Sequence, residues 1–267
     1  MNPKIPNTHR IALFGDGIGL PYLLGAVDRG SIVASVAAMD RPQYHQELKN
    51  LTDRHHLPLL IQPRKKTQEF DAYFEKLSLL RPTHLICFCY SMRIGSETLA
   101  LVGQNAVNVH ASLLPKNRGP NPVQWALIRG EKETGLTLHK MADEIDAGAI
   151  LFQRRLPIEM ADTWVSLMSK IDGVTPEFLK SGLNAYLQGQ LDPVPQIESV
   201  ATKNFRLTPE FPRIDFQSMT DLQIYNLIRA QVAPLAGAYI THQTVGLMRI
   251  SERLELEEIA ALRQRFA

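Results

Sequence analysis

Cysteine is scarce. The 267 residues hold two, Cys87 and Cys89, both in the run Leu85-Ile86-Cys87-Phe88-Cys89-Tyr90. On a strand, residues two apart share a face yet make poor disulfide partners, and no third thiol is present. They read as reduced core thiols of a cytoplasmic chain, not as a metal or redox pair, and no metal is expected. Long apolar runs are missing too. Nowhere do about 18 apolar residues follow one another, and the amino end has no apolar stretch of signal length. Neither a membrane span nor secretion is expected. An excess of one charge is also missing: 29 Lys and Arg face 27 Asp and Glu. A formal net of +2 supplies no electrostatic footprint for nucleic acid or an anionic membrane. Internal repeats and low-complexity tracts are absent.

What is present is an ordinary globular composition, 45% hydrophobic and 21% charged, in a chain long enough for one substantial core and a small second unit. From Arg10 onward, short β-rich runs alternate with helical stretches. Strands are expected at 11–14, 31–39, 57–61, 84–89 and 106–110, and helices at 21–29, 44–56, 67–80 and 122–129. Two further β-rich runs follow at 135–141 and 149–158, then a helix over 163–188. This order predicts an α/β fold with a doubly wound, mostly parallel sheet covered by helices on both faces. Leu191-Asp192-Pro193-Val194-Pro195 reads as a linker. It divides the chain into a unit over 1–190 and a small α+β extension over 191–267, which holds a helix at 221–231 and a charged amphipathic end at 252–266.

The loop Gly15-Asp16-Gly17-Ile18-Gly19 follows a strand and opens a helix, as a dinucleotide site would. The spacing departs from Gly-x-Gly-x-x-Gly, since Leu20 holds the last position, although Asp40 stands where an acidic residue is expected. Glycines at such a turn also serve tight backbone geometry alone, and that reading is preferred.

The chemistry concentrates between Asn108 and Gly148. Asn108 and His110 are two apart, so on a strand both emerge on one face. An amide donor and an imidazole together suit an oxygen that gains negative charge, and the imidazole also moves protons. A carboxylate held close favours the imidazolium and fixes the ring. Asp146, in a turn punctuated by Gly148, is the local candidate. The set suits acyl transfer by direct attack of an acceptor, because no convincing Ser or Cys nucleophile accompanies it. Ser112 reads as a backbone-bonding turn residue. His139 reads as structural or exposed, and His55-His56 as the end of a solvated helix.

The same segment contains Asn108-Val109-His110-Ala111-Ser112-Leu113-Leu114-Pro115, then Arg118-Gly119, Gly135-Leu136-Thr137, and Asp146-Ala147-Gly148. In that order it resembles the folate-dependent formyltransferase family, over roughly residues 10–239 and most strongly over 105–151. The resemblance implies a Rossmann-like formyltransferase core, a 10-formyltetrahydrofolate donor and an amine acceptor. It further implies that Asn108 and His110 polarise the formyl oxygen and manage the proton, with Asp146 orienting or assisting. Tyr90, Met92, Ile94, Asp143 and Ile145 would stand beside the folate, with loop packing as the alternative for Met92 and Ile94. Lys116, Arg118, Gly119, Asn226 and Arg229 would serve the acceptor, with loop shaping as the alternative for Arg118.

Within that family the acceptor varies. The stretches Arg118–Ala126, Arg213–Phe216 and Tyr225–Ala230 look like the tRNA and sugar branches. Between Ile197 and Ala267 eight basic residues face eight acidic ones, whereas a tRNA-gripping module would be basic. Tyr90-Ser91-Met92-Arg93 and Asp146–Ile150 also look more like the sugar branch. A nucleotide-linked amino sugar, of the kind used in lipopolysaccharide O-antigen biosynthesis, is therefore the expected acceptor, ahead of methionyl-tRNA or another small amine. A non-enzymatic, ligand-binding member of the fold is disfavoured by the intact polar trio. The extra domain of the donor-hydrolysing branch is not seen ahead of the first strand, which favours transfer. The resemblance also implies a homodimer joined through the tail, where 245–250 reads as a strand and Leu254, Leu256, Ile259, Leu262 and Phe266 supply apolar surface.

Overall fold

The computed structural model describes residues 9–243 and 246–266. Its main feature is a seven-stranded sheet. The strands in chain order are β1 (Ile11–Phe14), β2 (Ile32–Ala38), β3 (Leu59–Gln62), β4 (His84–Phe88), β5 (Ala106–His110), β6 (Glu133–Lys140) and β7 (Ile150–Pro157). They lie side by side as β3-β2-β1-β4-β5-β6-β7. The pairs β1/β2, β2/β3, β1/β4 and β4/β5 are parallel. Because β2 and β3 lie on one side of β1 and β4 on the other, strand order reverses there, which in open α/β sheets leaves a crevice beyond the carboxyl ends. The expected doubly wound sheet is found, and the pair β5/β6 is the antiparallel part of it.

The chain divides into two compact units. The first takes in the chain up to His110 together with Thr137–Gln153 and Thr175–Gln196. The second comprises Ala111–Leu136, Arg154–Val174 and Ile197–Ala267. The units are thus interleaved along the chain, unlike the consecutive division at 190/191 that composition suggests. The supposed linker is part of the first unit: Val194 exchanges both backbone hydrogen bonds with Ile150, each at 2.8 Å.

In the first unit, β1 carries the burial pattern of a strand covered on both faces, and Ile11, Ala12, Leu13 and Phe14 are fully buried. Helix α1 spans Gly19–Ala26, earlier than the 21–29 expected, because Pro21 sits in the first turn, where its missing N–H costs nothing. The glycine loop serves geometry. A Cβ on Gly19 would lie 2.2 Å from the Phe88 carbonyl oxygen, so only glycine lets α1 approach the end of β4. Asp16, buried, accepts from Ala38 N at 2.8 Å and from Ser91 N and Oγ at 2.9 Å each. One carboxylate thereby ties together the ends of β1, β2 and β4. The two cysteines part company here. Cys87 is a core thiol as expected, but Cys89 is exposed, with φ 50° just past the strand end, where the alternation stops.

In the second unit, helix α2 (Asp221–Arg229) opens with a capping box between Thr220 and Gln223. It packs in a core with Ile214, Phe216, the hairpin β8 (Ala238–His242) and β9 (Gly246–Ile250), and helix α3 (Leu256–Phe266). Leu254, Ile259, Leu262 and Phe266, expected as intermolecular surface, pack into this unit's own core instead. Val245, expected to begin the tail strand, lies outside the described residues. Among the described residues no helix is long and apolar enough to cross a membrane.

Two glycines of α1 give a test with its own control. Nothing lies within 4 Å of a Cβ built on Gly25. Gly25→Ala is therefore expected to stabilise the protein by about 0.5–1 kcal/mol, the ordinary helix-propensity gain. Gly19→Ala is expected to destabilise it by about 2 kcal/mol or more, the scale of backbone overlap in a packed core. Urea denaturation of both variants reads the contrast, and equal midpoints would refute it.

Candidate active site

The register of β5 against β6 assembles the site. Asn108 stands opposite His139 and His110 opposite Thr137. Directly opposed residues on neighbouring strands project to the same face, so all four side chains meet there. The turn after β6 brings Asp146 to them. Its carboxylate reaches His110 Nδ1 at 3.4 Å, His139 Nε2 at 3.5 Å and Asn108 Nδ2 at 3.4 Å. Asn108, His110 and Asp146, singled out from sequence, are thus gathered round one carboxylate.

His139 joins them. Of its two readings, structural or exposed, the structural one fits: it is 2% accessible, and its Nδ1 donates to the Lys140 carbonyl at 2.7 Å. With that proton committed, Nε2 faces the Asn108 amide at 3.1 Å and accepts from it. The signal was in the spacing: Thr137 and His139 alternate on the strand that pairs with Asn108 and His110. The site is largely buried, with His110 7% exposed, so charge interactions inside it are stronger than at a surface. Cys87 neighbours Asn108 on β4, but burial first, then the nearby Cys89 and Asp146, push its thiol well up, so it stays protonated and is no nucleophile. Ser112 Oγ donates to the Lys116 carbonyl at 2.7 Å, the turn-bonding role expected of it.

A cavity of about 580 Å³ opens in the same unit. Residues at or beyond the carboxyl ends of β2, β3 and β4 line it, among them Gln62, Arg64, Lys65, Met92 and Ile94, joined by Asp143. Met92, Ile94 and Asp143, expected beside the donor, are therefore brought together. Arg93 donates to the Asp143 carbonyl at 3.0 Å, joining the segment after β4 to the turn that carries Asp146. Tyr90 and Ile145 are not in the lining. Tyr90 turns its ring edge-on to Phe14 and its hydroxyl donates to Gln62 at 2.9 Å, and burial pushes that phenol up. Ile145 is 59% exposed. Gln62, which sequence reading passed over, is buried and also donates to the Arg93 carbonyl at 3.2 Å. No local pattern marks it, since its partners lie about thirty residues away.

The residues expected at the acceptor divide differently. Lys116 is exposed, whereas Arg118 is buried and paired through both terminal nitrogens with Glu198, at 3.0 and 2.6 Å. Gly119, at φ 91°, lies where a Cβ would meet the Asn204 carbonyl oxygen at 2.9 Å. Asn226 and Arg229 are buried and bonded to each other at 2.9 Å. Arg229 also donates to the carbonyls of Glu159, Met160 and Asp162. Buried guanidinium groups so satisfied hold loops, which is the alternative anticipated for Arg118.

A family model described as formyl transferase matches residues 17–183. A methionyl-tRNA formyltransferase of Enterococcus faecalis is 34% identical over 231 residues, which are 84% of this chain and 72% of that protein. A 4-N formyltransferase from Francisella tularensis superposes with a TM-score of 0.71 at 16% identity, covering 92% of this chain and 98% of that one. WlaRD, a sugar 3N-formyl transferase crystallised in the presence of dTDP and 5-N-formyl-THF, superposes at 0.65 and 18% identity, covering 83% and 78%. At such identities the two structures speak for the fold alone. The family match takes in β4 to β7 and every residue of the Asn108–His110–Asp146 cluster, and the chain belongs to the formyl transferase family.

Proposed function

We propose that this chain transfers a formyl group from 10-formyltetrahydrofolate to the amine of a nucleotide-linked amino sugar. The observation that carries the transfer chemistry is the convergence of Asn108 and His110 on the Asp146 carboxylate, with His139 accepting from Asn108 behind them, in a largely buried site. The amine nitrogen forms the new bond to the formyl carbon as the carbonyl electrons move onto oxygen. The longer Asn108 contact yields, and Nδ2 donates to that oxygen, while His110 stabilises the charge from its far nitrogen. The C–N10 bond then breaks, and the proton lost by the amine reaches N10 through the His110–Asp146 pair, which ends as it began.

The cavity that Asp143, on the turn carrying Asp146, helps to line suits the donor. Met92, Ile94 and Leu99 offer apolar surface to a flat heterocycle, and Arg64 and Arg93, with Lys65 in its pair with Glu97 at 2.8 Å, offer positive charge to an anionic tail. On the acceptor side, Lys116 meets phosphate and Arg118 shapes the loop. The amino-sugar acceptor is favoured by the balanced charge between Ile197 and Ala267, and the fold shared with WlaRD, a sugar 3N-formyl transferase, is compatible with it. The 34% identity to a methionyl-tRNA formyltransferase supports initiator methionyl-tRNA as the second reading. Two copies are expected to pair through the outer edge of β9, where Leu247 is 55% exposed.

The acceptor is tested by a donor-dependent screen across amino-sugar nucleotides with initiator methionyl-tRNA included. Formylation of the tRNA alone would replace the sugar reading, and release of free formate without any formylated amine would replace transfer with hydrolysis. In the active pairing, Asn108→Ala, His110→Ala and Asp146→Asn are each expected to lower kcat about a hundredfold with the fold retained. Wild-type turnover in a folded His110→Ala protein would overturn the assignment. For the donor, Arg64→Ala combined with Lys65→Ala is expected to raise the donor KM about tenfold and leave kcat near its original value, because charge-assisted bonds to the tail serve binding and not chemistry. An unchanged donor KM would move the folate elsewhere. Sedimentation at micromolar concentration is expected to show a dimer that Leu247→Glu dissociates, and a monomer in the unaltered chain would refute the pairing.

A further inference from the structure

Asp146 holds a backbone conformation that most residues avoid, with φ 57°. Its neighbours on one side are β6 residues: Lys140 N donates to the Ala149 carbonyl at 2.9 Å, and a Cβ on Gly148 would lie 1.9 Å from the Lys140 oxygen. On the other side stands a residue from a stretch that reads in sequence as a linker. The paired backbone bonds of Val194 and Ile150 fix that stretch beside the start of β7. Two residues on, Gln196 Nε2 donates to the Asp146 carbonyl at 2.8 Å and to the Gly148 carbonyl at 2.7 Å. A primary amide nitrogen carries two protons, and both are spent on this one turn.

We infer that Gln196 is a positioning residue, which holds the Asp146–Gly148 turn in its left-handed form and so aims the Asp146 carboxylate at His110 and Asn108. The inference rests on the catalytic reading of Asp146 and extends it to a residue fifty positions away. The geometry leaves little slack, since the Asp146 contacts with His110 and Asn108 are already 3.4 Å long. Without the amide, the two carbonyls lose a shared donor and the turn is free to rotate the carboxylate away. A displacement of about 1 Å in a catalytic group is enough to cost up to about a hundredfold in rate.

The test replaces Gln196 by Met, which keeps the length of the side chain and removes both donors. Three readouts are taken on the full chain. Hydrogen exchange of the backbone over 142–150 is expected to quicken about tenfold while the thermal midpoint moves by no more than about 4 °C. The imidazole nitrogen resonances of His110 are expected to shift, with those of His84 unchanged as an internal control. With the acceptor found in the screen, kcat is expected to fall about tenfold and both KM values to hold, the pattern of a lost transition-state interaction. Unchanged exchange and unchanged His110 resonances in Gln196→Met would overturn the inference, as would a raised KM at unaltered kcat. Asp146→Asn keeps the two readings apart. Full turnover in that variant would defeat the catalytic role of Asp146, whereas the exchange and resonance data decide the role of Gln196 without any acceptor.

Discussion

The antiparallel register of β5 against β6 is the constraint from which the site follows. Side chains alternate between faces with a period of two, so a slip of one residue would send His139 and Thr137 to the face opposite Asn108 and His110. The register also sets where β6 ends and hence where the Asp146 turn begins. From there the carboxylate reaches His110 and Asn108, and those partners in turn limit its movement. Asn108 donates toward both His139 and Asp146, so the cluster is a network and not a set of pairs.

A second constraint operates at the carboxyl ends of the parallel strands. Asp16 uses its carboxylate to bind backbone at the end of β2 and beyond β4, and the Gln62 amide accepts from the Tyr90 hydroxyl and donates to the Arg93 carbonyl. These buried polar groups take up the hydrogen bonds that loops at a sheet edge would otherwise leave unmet. The loop after β4 is therefore held from two strands, and it forms one wall of the cavity. The glycine loop after β1 has its carboxylate turned to this structural task.

Polar residues recognised by motif lie in two kinds of setting. Asn108, His110 and Asp146 face one another in one cluster. Arg118, Asn226 and Arg229 are more deeply buried, and within their own unit Arg118 pairs with a carboxylate, Asn226 accepts from Arg229, and Arg229 donates to main-chain carbonyls. A motif records that a residue type is needed at a position, and it does not say whether the need is chemical or architectural. Burial and hydrogen-bond partners make that distinction, because a guanidinium with its donors already engaged has less to offer a phosphate.

From the chain alone one reads the alternation of strands and helices, the parallel sheet, and the Asn-x-His pair with its distant Asp. Each of these is local or short in range: strand periodicity, turn chemistry, and residue types at fixed spacing. Tertiary structure decided what depends on partners far away in the chain. His139 entered the site through strand pairing, Cys89 left the core because its strand ended one residue earlier, and 191–196 proved to be a packed segment. Gln196 is the plainest case. Nothing within its own neighbourhood marks it, and its two hydrogen bonds cross 50 and 48 residues to a turn that exists only once β6 and β7 are in place. Local propensity is written in neighbouring residues, whereas the aim of a side chain is set by whatever the fold brings against it.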